Sequence, residues 1–109
     1  MSPIAENAAV LLGTQIRQAR RAKRWTAAEL ADRAGVSRTT VLNAEAGSAA
    51  VSLGNALNIA ALAGVALFGI DDPVELARAR RRGEEQLALL PSKVYKLKSG
   101  NDDDGDFDF

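Results

Sequence analysis

Hydrophobic residues recur at helical spacing in four successive stretches of the chain. Apolar side chains three or four positions apart fall on one side of an α-helix, whereas the residues between them face water. The pattern therefore predicts four helices, over about residues 8–23, 27–34, 38–46 and 53–63. The expected core positions are Leu12, Ile16 and Ala19 in the first helix, Leu30, Ala31 and Ala34 in the second, Val41 and Ala44 in the third, and Leu53, Leu57, Ala60 and Ala61 in the fourth.

Cap residues define the two short helices in the middle of this series. Thr26 is a good N-cap, and Glu29 three residues later completes the pattern of a capping box. Gly35 marks the end of the helix, because glycine adopts a positive φ without strain. Ser37 caps the next helix, and Gly47 marks its end. A short helix, a glycine turn and a second capped helix are typical of helix-turn-helix proteins that bind DNA.

Residues 12–65 resemble the Cro/CI or Xre-type helix-turn-helix family. The resemblance lies in LGTQIRQARRAKRWTAAELADRAGVSRTTVLNAEAG and the later SLGNALNIAALAGV, with ELA, AGVS and E-x-G as its most specific parts. It implies an all-α fold, a compact bundle of four to five helices, that binds operator DNA as a homodimer. It also implies that Arg20 pairs with Glu45 and so ties the first helix to the third. Many members carry a phosphate-binding Gln where this chain has Ala27, so we expect that contact to be missing.

The third predicted helix carries the side chains that we expect to contact bases. Val41 and Ala44 are needed in the core, and the N-terminal end of a recognition helix is the end that enters the major groove. Arg38, Thr39 and Asn43 satisfy both conditions, and they match the base-contacting positions of the family. Arginine suits guanine, asparagine suits adenine, and a threonine methyl suits the methyl group of thymine.

Basic and hydroxyl side chains near this helix are candidates for contacts with the DNA backbone. Such contacts position a protein on the duplex without specifying the sequence. The arginines on the outer side of the first helix either bind phosphates or form a solvated basic face, and the sequence leaves both interpretations open. The candidate phosphate-binding residues are Arg17, Arg21, Arg24, Ser37 and Thr40.

A short, wholly apolar run, VALFGI at residues 65–70, follows the fourth helix. Such a run is typical of a buried strand, and a lone strand leaves its backbone groups unpaired. We therefore predict an intersubunit strand that pairs with its own copy across a two-fold axis. The alternative is an irregular segment that caps the core. The dimerisation residues in the first interpretation are Val65, Leu67, Phe68 and Ile70.

The absence of two residue types limits the possible chemistry. The chain has no cysteine and no histidine, so it lacks thiolate ligands, the usual zinc ligand and the usual general base. We therefore predict neither an enzyme nor a metal or other cofactor. No apolar run approaches membrane-spanning length, and the N-terminus lacks the pattern of a secretion signal. We expect no membrane partner and a cytoplasmic, bacterial protein that is nucleoid-associated when bound to DNA.

The predicted organisation of the chain has four parts. Residues 1–7 are expected to be flexible, and residues 8–70 form the DNA-binding domain. Residues 71–90 form a C-terminal helix, because Asp72 and Pro73 are a strong helix start and Pro91 prevents continuation beyond Leu90. Residues 91–109 are expected to be an extended or disordered acidic tail.

The tail changes the interpretation of the net charge, which is zero. Outside residues 102–108 the chain has fourteen basic and nine acidic residues, so a basic body is joined to an acidic tail. We predict that the tail binds a partner protein with a basic groove. The alternatives are that it folds back on the protein's own basic surface or only solubilises the chain. The candidate partner-binding residues are Asp104, Asp106, Phe107 and Phe109.

The complete layout resembles HipB-type antitoxins, which combine a Cro/CI-like domain, a short apolar strand and a C-terminal extension. This resemblance implies a dimeric repressor of its own operon that also binds a HipA-like kinase toxin. Two alternatives remain open. One is a stand-alone phage or host repressor without a toxin partner, and the other is an interaction adaptor that no longer reads DNA.

Overall fold

The computed structural model describes residues 1–91, which form an all-α fold as predicted. Four helices build a compact bundle in the N-terminal part of the chain, and a fifth helix follows. The chain divides into two units between Glu75 and Leu76, and most of the fifth helix lies in the second unit. The helices are α1 (Pro3–Ala22), α2 (Ala27–Ala34), α3 (Arg38–Glu45), α4 (Leu53–Ala63) and α5 (Pro73–Ala88).

The N-terminal helix is longer than predicted. We expected a flexible segment over residues 1–7 and a helix from Ala8, but α1 begins at Pro3. The Ser2 hydroxyl accepts a hydrogen bond from the Ala5 amide at 3.2 Å, and Pro3 occupies a first-turn position at which its missing N–H is no loss. The local cap signal was therefore present in the sequence and was overlooked. The additional turns leave Ile4 82% exposed.

The core lies where α1, α2, α3 and α4 meet, and alanines fill much of it. Of the predicted positions in α4, Leu53 is 74% exposed and Ala61 is also exposed, so these two assignments were wrong. Ile59 and Ala63 are buried instead, which means that the inward side of α4 was placed incorrectly. The fully buried large side chains are Ile16, Leu30, Val41 and Ile59, and the buried alanines are Ala27, Ala31, Ala44, Ala60 and Ala63.

Residues 65–70 do not form the predicted strand. Phe68 and Gly69 have φ values of 56° and 73°, and the Ile70 amide donates a hydrogen bond to the Leu67 carbonyl at 3.0 Å. Two consecutive positive φ values close a tight turn, whereas a strand needs extended backbone at every residue. The alternative of a core-capping segment is confirmed, because Val65 and Leu67 pack against the core while Phe68 remains 85% exposed.

The C-terminal helix begins where the sequence predicted. The Asp72 carboxylate accepts a hydrogen bond from the Val74 amide at 3.0 Å, with Pro73 as the first helical residue. The helix ends at Ala88, slightly before the expected Leu90, and no residue within it is buried. The predicted partner-binding residues of the acidic tail lie outside the described residues.

Candidate nucleic-acid interface

The turn between α2 and α3 is fixed by the caps on both sides of it. In the capping box, the Glu29 amide donates to the Thr26 hydroxyl at 3.0 Å and the Thr26 amide donates to the Glu29 carboxylate at 2.7 Å. Gly35 ends α2 with a φ of 70°, and the Val36 amide bonds back to the Ala31 carbonyl at 3.0 Å. These caps and the Gly35 stop end α2, turn the chain within a few residues and start α3 as a separate short helix.

The outer side of α3 carries the predicted base-contacting residues. Arg38, Thr39 and Asn43 are all exposed, whereas Val41 and Ala44 on the opposite side are buried. Within residues 1–91, no hydrogen bond or ion pair engages the side chains of Arg38, Thr39 or Asn43. Among the described residues, nothing therefore competes with a ligand for their donors and acceptors. Base contact by these three residues stays a prediction.

The two hydroxyl candidates for phosphate contacts are bonded to each other. The Ser37 Oγ caps α3 by accepting the Thr40 amide at 3.1 Å, and it lies 2.9 Å from the Thr40 Oγ1. One of the two hydroxyls must donate to the other, so the pair has only one O–H left to offer a phosphate. We therefore expect one phosphate contact from Ser37 and Thr40 together, rather than one from each.

An ion pair joins the end of α3 to α1, as the family resemblance implied. The Arg20 guanidinium donates to both carboxylate oxygens of Glu45, at 2.6 Å and 3.0 Å, and to the Trp25 carbonyl at 2.9 Å. The side chains of Arg20 and Glu45 are only 11% and 6% exposed. The hydrogen bond to Glu45 raises the pKa of Arg20 further above its usual value, so the guanidinium stays charged at any physiological pH.

Gly13 lets α1 approach α3 closely, and the sequence analysis missed it. A methyl group at this position would lie 2.5 Å from the Ala44 carbonyl oxygen and would also collide with that of Glu45. Only glycine therefore allows the backbone of α1 to touch the last turn of α3. The available signal was a glycine inside a helical pattern, which indicates close packing when it is not a helix end.

Three further side chains in this region, those of Lys23, Arg33 and Asn58, had no assigned role. The Arg33 guanidinium lies 4.1 Å from the centre of the Trp25 ring and the Lys23 amine lies 5.4 Å from it, which are cation–π distances. Asn58 in α4 donates to the Ala34 carbonyl at 3.3 Å and so satisfies the end of α2. Trp25 itself is half-buried. The contacts of Arg33 with Trp25 and of Asn58 with Ala34 join residues that are far apart in sequence, so local sequence patterns do not show them.

The basic residues of α1 remain candidates for backbone contacts. Arg17 and Arg21 are exposed on α1, and Arg24 is exposed just after it with a φ of 60°. None of the three has an acidic partner among residues 1–91. Ala27, which replaces the phosphate-binding Gln of many family members, is 8% exposed and belongs to the core. Phosphate binding by the three arginines stays a prediction.

In this domain a capped glycine turn leads into a short helix. That helix has an exposed polar side, and an ion pair holds its C-terminal end. This arrangement is the one found in helix-turn-helix DNA-binding proteins. Residues 16–70, half of the chain, match the model of a helix-turn-helix family. The chain belongs to this Cro/CI-type helix-turn-helix family, whose members are DNA-binding transcriptional regulators. Searches among curated proteins and among solved structures found no match. None of the helices within residues 1–91 is long and apolar enough to cross a membrane.

Proposed function

We propose that this protein is a sequence-specific transcriptional repressor that reads an operator with Arg38, Thr39 and Asn43. The proposal rests on two properties of α3: its exposed polar side chains and its held C-terminal end. Its exposed polar side chains have no partner within residues 1–91, while its C-terminal end is held by Arg20 through Glu45. Free base-contacting groups on a helix in a fixed position are what direct readout requires.

The proposed phosphate contacts come from the basic side chains next to this helix. Arg17, Arg21 and Arg24 would bind the backbone, with one hydroxyl from Ser37 and Thr40 beside them. Each phosphate neutralised by a basic side chain releases counterions, so these contacts supply affinity that falls as salt rises. The excess of basic over acidic residues outside residues 102–108 supports this role.

We propose that the repressor acts as a homodimer. One helix of eight residues contacts only a few base pairs, and a second copy doubles the length of sequence that is read. A two-fold dimer predicts an operator with inverted half-sites about one helical turn, ~34 Å, apart. Residues 65–70 do not support this dimer, because they contain a turn instead of the predicted intersubunit strand.

The direct experiment is a mobility-shift titration at physiological salt. The full chain is titrated into duplexes from the region upstream of its own reading frame and into scrambled duplexes of equal length and composition. The proposal predicts affinity at least about a thousandfold higher for one upstream duplex. Equal affinity for both would favour the adaptor alternative, in which the domain no longer reads sequence.

A second candidate function is that of an antitoxin that binds a HipA-like kinase toxin. Its support is the tail sequence, in which five aspartates surround Phe107 and Phe109. Aromatic anchors on an acidic segment suit a basic groove, and buried aromatics tend to dominate binding energy. The resemblance of layout to HipB-type antitoxins is weaker than the sequence indicated, because the apolar strand is absent. A stand-alone repressor is the alternative.

Calorimetric titration distinguishes the antitoxin from the stand-alone repressor. The product of the neighbouring reading frame is titrated with the full chain, with a chain that lacks residues 101–109, and with a Phe107→Ala, Phe109→Ala double variant. The antitoxin proposal predicts that both changes weaken the complex, by at least about tenfold for the double variant. Equal affinities for all three proteins would show that the tail does not bind this partner.

A further inference from the structure

Leu42 is the one large apolar side chain on the exposed side of α3. It is 38% exposed. Within residues 1–91 it belongs neither to the buried core nor to the partly buried hydrophobic residues that pack against that core. The residues around it on this side, Arg38, Thr39 and Asn43, are polar and exposed. The core of the protomer therefore gains nothing from a leucine at this position.

The direction in which Leu42 points follows from the two buried residues of α3, Val41 and Ala44. On a helix that turns about 100° per residue, Leu42 and Asn43 lie about 50° to either side of the direction opposite the buried pair, and Arg38 lies about 90° from it. Leu42 therefore faces away from the core more directly than Arg38 does. It also lies between Arg38 and Asn43 around the helix, so an interface that reaches both of them covers Leu42 as well.

The chemistry of the major groove limits what a leucine can contact there. Most groups on the base edges donate or accept hydrogen bonds, and the C5 methyl group of thymine is the apolar exception. Leucine has no donor or acceptor, so it would shield the polar groups of other bases from water without replacing their hydrogen bonds. Against a thymine methyl, it would instead remove two apolar surfaces from water. Thymine is therefore the base that suits Leu42.

We propose that Leu42 is a specificity-determining residue that packs against the C5 methyl group of a thymine in the operator. Leu42 follows Arg38 by about one helical turn, which is about 6 Å along the helix axis, and successive base pairs are about 3.4 Å apart. The thymine is therefore expected within about two base pairs of the guanine that we expect Arg38 to contact. The inference deepens the proposed repressor function and rests on it.

Replacement of single thymines by deoxyuridine tests this contact in the duplex that the full chain selects from a random pool. The replacement removes only the methyl group and leaves the hydrogen-bonding edge and the pairing with adenine unchanged. Wild type should lose about fourfold in affinity when the thymine opposite Leu42 is replaced. Leu42→Ala should bind the thymine duplex at least about fourfold more weakly than wild type, and it should lose nothing further with deoxyuridine at that position.

Two control variants separate this contact from other effects. Leu62→Ala makes the same change at a leucine of α4 that is also 38% exposed, and it should show the wild-type response to deoxyuridine at every thymine. Thr39→Ser keeps the hydroxyl group but removes the methyl group that could contact a different thymine. It should keep the fourfold loss at the thymine opposite Leu42. Thermal unfolding of Leu42→Ala should stay close to that of wild type, because Leu42 is not part of the core.

Leu42→Gln provides a second test, in which specificity should change instead of being lost. Glutamine is similar to leucine in length and is also a good helix former, but its amide can donate to and accept from adenine. Selection from the random pool with this variant should therefore replace the thymine preference at one position and leave the preferences of Arg38 and Asn43 in place. A Leu42→Gln protein that selects the wild-type site would contradict the proposed contact.

The outcomes distinguish failure of this inference from failure of the proposed function. If wild type selects a site but loses no affinity with deoxyuridine at any thymine, Leu42 contacts no methyl group and the inference is wrong, while the repressor function stands. The same holds if Leu42→Ala loses as much affinity as wild type at each sensitive thymine. If the full chain selects no site from the pool, both the inference and the proposed function are rejected.

Discussion

Arg20 and Glu45 join α1 to the last residue of α3 through two hydrogen bonds, at 2.6 Å and 3.0 Å, in a region that is largely shielded from water. Gly13 lies in the same contact, at a position where a methyl group would collide with the carbonyl oxygens of Ala44 and Glu45. The C-terminal end of α3 is therefore held against α1.

Loss of one partner of this ion pair should strongly destabilise the domain. Arg20→Met leaves the Glu45 carboxylate buried without its partner and should lower the free energy of unfolding by about 3 kcal/mol. The Arg20→Met, Glu45→Met double variant should be more stable than either single variant. Urea denaturation measures all three. Arg80→Met is the control, since the exposed pair with Glu84 should contribute less than about 1 kcal/mol. Equal losses at the two sites would contradict the structural role of Arg20.

Gly13→Ala should destabilise the protein although alanine favours helix. The new methyl group would collide with the backbone carbonyls of Ala44 and Glu45, and overpacking of this kind costs about 1–3 kcal/mol. Gly54→Ala is the matched control, because that glycine is also helical and a methyl group there meets nothing within 4 Å. The control should be stabilised by up to about 1 kcal/mol. If thermal unfolding shows that both substitutions change the stability in the same direction, the close approach of α1 to α3 is ruled out.

Replacement of Arg24 by glycine should affect protein stability and DNA binding in different ways. Its φ of 60° is unfavourable for a side chain with a Cβ, so Arg24→Gly should leave stability unchanged or raise it by up to about 1 kcal/mol. If Arg24 binds a phosphate, the same variant should weaken DNA binding and lower the salt slope by about one unit. Arg24→Lys keeps the charge and should retain most of the slope. An unchanged slope in Arg24→Gly would remove Arg24 from the phosphate contacts.

Phe68 should be replaceable without loss of stability. Phe68 is the first of the two central residues of a turn, both of which have positive φ, and its side chain is 85% exposed. Phe68→Asn creates Asn-Gly, the favoured pair for such a turn, and should stabilise the protein by about 0.5–1 kcal/mol. The substitution should not change the dimer dissociation constant. If the wild type is a dimer, a monomeric Phe68→Asn variant would show that this turn takes part in the dimer contact.

The sequence predicted features that depend on neighbouring residues. The caps at Thr26 and Ser37 and the stop at Gly35 follow from side-chain and backbone chemistry within one turn of a helix. The extra N-terminal turns of α1 belong to the same class, and the Ser2 and Pro3 signal shows that they too were predictable.

Features that depend on contacts between distant residues were harder to predict. Gly13 is required because α3 passes next to it, and a glycine inside a helical pattern indicates close packing without showing which element packs there. The apolar run at residues 65–70 was interpreted as a strand because hydrophobicity alone does not encode the left-handed backbone of Phe68. In α4, apolar residues lie on several sides, so the sequence did not distinguish the buried Ile59 from the exposed Leu53.

The central claim is that the exposed side of α3 reads bases, and selection of bound sequences from a random duplex pool tests it most directly. Wild type, Arg38→Ala, Asn43→Ala and the control Asn55→Ala, an exposed asparagine on α4, are compared. Arg38→Ala and Asn43→Ala should each lose preference at one position of every half-site, with a loss of about 1–3 kcal/mol in specific binding, and Asn55→Ala should select the wild-type site. Unchanged selected sites in both α3 variants would contradict the account.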